Sequence, residues 1–500
     1  MVPSVAGVVP VVLGAVGAGF LVRFLLGGGN DSDLMSSTAF MITAVPFVLA
    51  WLEAPGRLLH PLALLGFTML IGVAGQTAYL SYLSNQREVV DPSSPLFRRL
   101  AGLPLDILAP GLLVTCIALV ALALGYHLAP AWSGSSGNRT PRIGRALRFG
   151  MRQGLAVPAP RPTVWTIVLL STMSVVAFAI FAPKVGITTI DSLLTSEKRF
   201  ADIAGEGQWT SFGYLRWGMS LAGVGFILGT YAIARHGMRW RSTLGVVTLV
   251  ALALTAAYSL VTSSRTALFA VVAVAALTAV AVRQKEPRPA ILTAATLSAL
   301  IVLASLLGLR GYEQGRASAA VSPTSWAEQI FGAGDWMDIG PLSVIVAKVP
   351  ESYEYAYGTT VLSVLWAPVP RTLWPDKPPV RIGPELGQRV FGFDPDRKSG
   401  DPPGLIGEMW VNGGIVGVLI GAFILGWLLR WVARLYHTSP ASQGLSALPY
   451  GLMVVSLALI LPTGDVTGTV LFVIQYASAL ALGLWLIRCR GGHTATLGSS

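Results

Sequence analysis

Charge is scarce in this chain of 500 residues. Only 12% are Asp, Glu, Lys or Arg, against about 25% in soluble domains. A soluble protein needs charge to coat its surface, so the shortage excludes a soluble enzyme, although the length would allow several soluble domains. Cysteine is scarcer still. Cys116 lies inside an apolar run and Cys489 follows the last one, which excludes a disulfide scaffold and argues against a thiolate metal site. There is no Cys/His metal spacing, no phosphate-binding P-loop and no G-x-G-x-x-G opening a helix, so neither a metal nor a cofactor is expected. The start, Met-Val-Pro-Ser, lacks a basic segment, so the first apolar run reads as a retained span rather than a cleaved signal peptide. What is abundant is apolar: 53% of residues are hydrophobic, and the 55 Gly and 32 Pro are scattered among long apolar runs. That excludes a disordered chain. The fold class is an all-α polytopic integral membrane protein.

A helix crosses the hydrocarbon with about 20 mostly apolar residues. That rule predicts about twelve spans, near 5–27, 36–53, 61–83, 107–128, 163–183, 213–234, 243–262, 266–282, 290–309, 410–433, 446–463 and 468–487. The chain divides into 1–309 with nine spans, a large loop 310–409, and 410–500 with three spans and a short tail. Lys and Arg orient such a bundle toward the cytoplasm. The segment 129–163 holds Arg139, Arg142, Arg145, Arg148, Arg152 and Arg161 and no acid, which places it, and both termini, inside. Of the 24 acids only Glu53 and Glu286 then fall on the cytoplasmic side. The net charge of +11 is therefore read as topology, and no nucleic-acid partner is expected. The location is the cytoplasmic (inner) membrane.

The cytoplasmic loops other than 129–163 are too short for an enzyme domain. The outer loop 310–409 is far longer than the ~15 residues beyond which loops tend to be functional or disordered. Trp326, Trp336, Trp366, Trp374, Tyr353, Tyr355 and Tyr357 within it argue against disorder. Short amphipathic helices on the membrane surface are expected, for instance over 324–348. Arg23, Arg216, Arg265 and Arg310 fall at outer ends of spans, and the loop adds Arg316, Arg371, Lys377, Arg381, Arg389 and Arg397. Any one of them has a plain reading as a snorkelling side chain. Together they suit a lipid carrying phosphate or pyrophosphate, which guanidinium groups bind bidentately. Gly407-Glu408, Asn412-Gly413-Gly414 and Gly417 lead into the tenth span. Glu408 reads either as a capping acid at a helix start or as a carboxylate at the mouth of a membrane cavity, able to take a proton from a sugar hydroxyl.

The pattern Pro370-Arg371, Trp374-Pro375, Lys377-Pro378, then Gly407-Glu408, Asn412, Gly414 and Gly417 resembles the bacterial O-antigen, or Wzy-type, oligosaccharide repeat-unit polymerases. Ser263-Ser264-Arg265 matches a short outer turn associated with them, and the likeness is best over 240–420. The resemblance implies a GT-C-like membrane glycosyltransferase. Such an enzyme polymerises undecaprenyl-pyrophosphate-linked oligosaccharide repeats at the outer face of the membrane. The partners implied are that lipid-linked oligosaccharide, membrane lipid and a chain-length regulator protein. Glu408 becomes the leading catalytic base, with Asp376 and Asp401 behind it. Arg265, Arg310, Arg371, Lys377, Arg381 and Arg216 become the pyrophosphate-binding set. An Arg-x10-Gly spacing implied by the family fits Arg381 with Gly392, but no second copy stands on the earlier outer loop.

Three rivals stay open. An O-antigen ligase-like transferase is disfavoured because His60, His127, His236, His437 and His493 all fall on the cytoplasmic side. A polyprenyl-phosphate-sugar glycosyltransferase would use acids such as Asp31 and Asp33 in the first outer loop. A lipid-linked glycan flippase or transporter would show matching halves with Gly/Pro-broken helices, and no such halves are seen.

Overall fold

The computed structural model describes residues 5–26, 31–54, 59–85, 105–129, 159–184, 213–261, 265–283, 337–369, 373–374, 376–380, 382–393, 402–437 and 447–496. Among these every regular element is a helix. In order they form α1 (Val5–Leu25) and α2 (Asp31–Glu53), then α3 (Pro61–Met69), which passes through a π-helical stretch Leu70–Gly75 into α4 (Gln76–Asn85). Next come α5 (Leu108–Leu128), α6 (Pro160–Lys184), α7 (Gly213–Met219), α8 (Leu221–His236), α9 (Thr243–Val261) and α10 (Arg265–Arg283). The second half holds α11 (Ile339–Lys348), the short turn α12 (Thr359–Leu362), α13 (Gly383–Arg389) and α14 (Gly404–His437). It ends with α15 (Ala447–Val455), which runs through a π-helical stretch Ser456–Ile460 into α16 (Leu461–Thr463), and with α17 (Val466–Thr496).

Seven stretches are long and apolar enough to cross a membrane: Asp31–Glu53, Pro61–Tyr82, Leu108–Leu128, Pro160–Lys184, Tyr214–His236, Gly404–Arg434 and Val466–Arg490. Five shorter apolar helices accompany them, among them Thr243–Ser259 and Ala447–Thr463. The protein is thus a multi-pass helical membrane protein. Eleven of the expected spans fall on helices, while the ninth, 290–309, lies outside the described residues.

Lipid is as apolar as leucine, so helices in a bilayer associate by close packing rather than by escape from water. The contact of α5 with α14 shows this. An ideal Cβ at Gly125 would stand 2.0 Å from the Phe423 carbonyl oxygen, and one at Gly426 would stand 2.0 Å from that of Leu122. Each glycine lets the other helix's backbone approach. The main core runs through the bundle from Phe47 and Leu62 to Tyr231, Val274 and Val455. A smaller core joins the loop elements α11 and α13 to the start of α14, through Ile345, Val349, Leu386, Val390, Phe391 and Val411.

Two features depart from the sequence reading. The expected surface helix over 324–348 is described only from residue 337, and there it is not on the surface. Every residue of Ile339–Ile345 is buried. Gln76 Oε1 accepts the Gly340 N–H at 2.9 Å, and Ser343 packs on Gly111. The stretch can enter the bundle because its one polar side chain, Ser343, is satisfied within the helix by the Ile339 carbonyl. Second, α14 is two helices. The backbone leaves helical geometry at Gly413 (φ −175°, ψ 30°) and Gly414 (φ 55°, ψ −140°). Ahead of that break the chain runs back alongside its continuation: the Met409 carbonyl lies against Gly417 and its side chain against Gly421. In a continuous helix those residues would be about 12 and 18 Å apart along the axis.

Candidate functional site

The break in α14 creates the most polar buried site among the described residues near the expected reactive acid. Glu408 sits in the short arm ahead of the break and is 1% exposed. Its carboxylate does not cap its own helix. Oε2 instead accepts the Val466 N–H at 2.7 Å, at the first residue of α17, where the unpaired N–H groups and the helix dipole favour negative charge. Oε1 accepts the Thr360 hydroxyl at 2.9 Å.

The hydrogen bonds around Thr360 have a single direction. The Gly358 N–H donates to Asn412 Oδ1 at 2.8 Å, which fixes the amide so that its nitrogen faces the other way. Asn412 Nδ2 donates to Thr360 Oγ1 at 2.6 Å and to the Glu408 carbonyl at 2.7 Å. A hydroxyl has one proton. With Asn412 on its acceptor side, Thr360 must point that proton at Glu408. A side-chain amide thus orients a hydroxyl, and the hydroxyl orients the carboxylate.

Two further ties close the site. The Ser363 and Thr467 hydroxyls meet at 2.6 Å, and Thr467 Oγ1 donates to the Thr360 carbonyl at 3.2 Å. They pin the α12 turn onto the start of α17. The turn is entered through two consecutive left-handed residues, Tyr357 (φ 45°) and Gly358 (φ 89°). A bulky residue at positive φ costs on the order of 1–3 kcal/mol and persists only where its surroundings impose it. Here the imposing groups are the Ala356 N–H on the Val411 carbonyl, at 2.8 Å, and Asn412 on Gly358.

Among the described residues no Lys, Arg or His stands within ion-pair distance of Glu408. Lys377 is buried, but its Nζ donates to the Ala367 and Val369 carbonyls at 3.2 and 2.8 Å, so its charge is turned toward the backbone and away from Glu408. Asp376 beside it is exposed. Arg216 is exposed on α7, which packs on α6 and α8 rather than on the arm carrying Glu408. Arg265 is the first residue of α10. Arg310, Arg371, Arg381 and Asp401 lie outside the described residues. Nearby, Tyr353 donates to Glu385 Oε2 at 3.0 Å, and burial together with that acid pushes its hydroxyl up to about 12. The Arg389 guanidinium lies 5.7 Å from the Tyr353 ring centre.

No family model matches the chain, and no curated protein or solved structure matches it either. Its chemistry has to be argued from the site.

Sequence reasoning singled out Glu408 and quoted Asn412. It missed Thr360, Ser363 and Thr467, because a hydroxyl in an apolar helix or a turn carries no pattern. The Gly413-Gly414 pair was a usable signal for the break, as was Gly464-Asp465 between two apolar runs.

No metal-sized cluster of three or more His, Cys, Asp or Glu occurs among the described residues. A second polar cluster stands at the opposite end of the bundle. There Glu53 accepts from Arg430 and from the Tyr126 hydroxyl. His60 Nε2 lies 3.8 Å from the same carboxylate.

Proposed function

We propose that this protein joins lipid-linked oligosaccharide repeat units into a longer glycan, with Glu408 as the base that takes the proton of the acceptor hydroxyl. In this reading the Glu408 end of the bundle faces away from the cytoplasm, and the donor leaves its glycan from undecaprenyl pyrophosphate. The pyrophosphate is bound by cations of the 310–409 loop and of nearby helix ends, with Arg265, Arg310, Arg371, Lys377, Arg381 and Arg216 as the candidates. Asp376 and Asp401 are the secondary acids. The mechanism needs no metal and no cofactor.

The single observation that carries the reading is the state of Glu408. A buried carboxylate clamped by Arg is a poor proton acceptor, because its charge is already satisfied. Glu408 has two neutral donors, one on each oxygen, and unused lone pairs on both. That arrangement holds the group in place and leaves it able to accept a proton. His60 and His127 gather with Tyr126 at the other end, which weighs against an outer histidine of the ligase-like kind.

The test is a strain whose only copy carries Glu408→Gln. Loss of long glycan ladders with accumulation of single lipid-linked repeats is the expected outcome. Full-length ladders at normal protein level would refute the assignment. A single-sugar transferase predicts a missing side residue on an otherwise long ladder.

One observation favours a second reading as a lipid-linked glycan transporter. Helices α14 and α15–α17 are both interrupted, at Gly413–Gly414 and at Gly464, and interrupted helices line the binding sites of many transporters. In that case Glu408→Gln would leave repeats facing the cytoplasm, unreachable by an impermeant oxidant of sugars.

A further inference from the structure

The bundle carries its own ruler. On α2, Asp33 pairs with Arg23 at one end and Glu53 pairs with Arg430 at the other. Twenty residues of helix separate these acids, about 30 Å at 1.5 Å per residue, which is the thickness of the hydrocarbon. The helices around Glu408 are shorter when measured from the same Glu53 end. From Arg430, the continuous part of α14 back to Ile415 covers only about 22 Å. Tyr450, whose hydroxyl donates to the Leu59 carbonyl, is separated from Thr463 by about 20 Å of helix. Both helices stop roughly 8–10 Å short of the level of Asp33.

The α12 turn packs against these shortened ends through Thr360 and Ser363. Thr360 and Ser363, three residues apart, face Glu408 and Thr467. The other side of the same stretch is apolar and bare: Leu362 is 52% exposed, Leu365 74% and Tyr357 80%. Leu373 is 78% exposed, beside Trp374 and held close by the bonds of Lys377 to Ala367 and Val369. The continuous part of α14 carries an exposed apolar stripe of its own, Val416, Ile420, Phe423 and Trp427, and it begins at Gly414, which lies against the Tyr355 hydroxyl just ahead of the turn. Lone exposed apolar residues need no explanation, but a contiguous patch on a polar turn does.

We infer that residues 357–366, with Leu373 and Trp374, form a sill embedded in the bilayer leaflet at this end. Its occupant is acyl chain, and Glu408 lies behind it, below the membrane surface. Resting on the reading of Glu408 as the reactive group, the inference specifies how substrate arrives. An amphiphile moves sideways from the leaflet across the sill, its polar head displacing the Thr360 turn and its tail staying in lipid.

The test places probes on the full chain after Cys116→Ser and Cys489→Ser. An environment-sensitive fluorophore is attached at Leu365→Cys, Leu373→Cys or, as a water-exposed control, Glu351→Cys. Each is reconstituted in vesicles of phosphatidylcholine and phosphatidylglycerol. Lipids brominated on the acyl chain should quench the labels at 365 and 373 at least threefold more than that at 351. Iodide in the water should show the reverse order. Iodide quenching at 365 and 373 equal to that at 351 overturns the inference. So does protection from both quenchers, which would mean a protein surface covers the patch. Neither readout uses activity, so this inference can fail while the assignment of Glu408 stands.

Discussion

Glu53, half-buried, and Glu408, fully buried, are two acids of one membrane bundle, and they are held in opposite ways. Glu53 is neutralised: Arg430 and Tyr126 both bind it, and the Arg430 guanidinium also lies 5.0 Å from the Tyr126 ring centre. The His60 side chain is committed nearby, since its Nδ1 accepts the Leu62 N–H at 3.3 Å and caps α3. The cluster ties α2, α3, α5 and α14 together at one end. Glu408 is oriented and not neutralised. Its partners are a hydroxyl, itself oriented by an amide, and one backbone N–H. A charge in a low-dielectric site is either paired for stability or kept for use. Under the proposed function, that difference assigns the Glu53 end to structure and the Glu408 end to chemistry.

The sharpest break in that comparison is at Glu408. Glu408→Gln keeps the shape and, through its single amide oxygen, one of the two donated bonds, but it removes the proton acceptor. Product ladders formed in proteoliposomes from lipid-linked repeats should fall by roughly 10²–10⁴-fold, with the thermal unfolding midpoint little changed. The opposite pattern is expected at the other end. Arg430→Met leaves the half-buried Glu53 without its cation, and thermal unfolding in detergent should report a loss of about 1–2 kcal/mol. The double variant Glu53→Gln with Arg430→Met should regain most of it, a non-additivity that marks a direct pair. If Arg430→Met instead lowered turnover without lowering stability, the division of labour would be wrong.

A smaller effect should follow at Thr360. Thr360→Val removes the hydroxyl donated to Glu408 and leaves one of the two Asn412 N–H groups without an acceptor, so turnover should drop about tenfold. Thr360→Ser should restore it, which a loss of packing would not allow. The smallest effect is at the break. Gly414→Ala places a Cβ at φ 55° and 3.0 Å from the Tyr355 hydroxyl. A loss of about 1–2 kcal/mol is expected in thermal unfolding, with turnover falling only as the Glu408 arm shifts.

Much of the bundle was legible in one dimension because membrane insertion is a local requirement. Twenty apolar residues in a row must find lipid whatever the rest of the chain does, so Leu108–Leu128 and Pro160–Lys184 emerge from composition alone. Glu408 was legible for a related reason: an acid beside an apolar run is conspicuous. The surroundings of Glu408 were not. Thr360 and Thr467 are 48 and 59 positions away from it in sequence, and nothing in either stretch advertises a carboxylate as partner. The tail of the 324–348 stretch was misplaced because its apolar content is consistent with a surface helix or a buried one.

The sequence by itself determined that this is a helical membrane protein, where its long apolar helices run, and that an acid stands among glycines near residue 408. Those are statements about solvent preference, which each segment carries alone. Only the tertiary structure decided that α14 breaks and turns back at Gly413–Gly414, that α11 enters the bundle, and that Glu408 meets Thr360 and Val466 rather than a cation. Such choices depend on which backbone groups are left unpaired once the helices have packed, and no segment determines that separately.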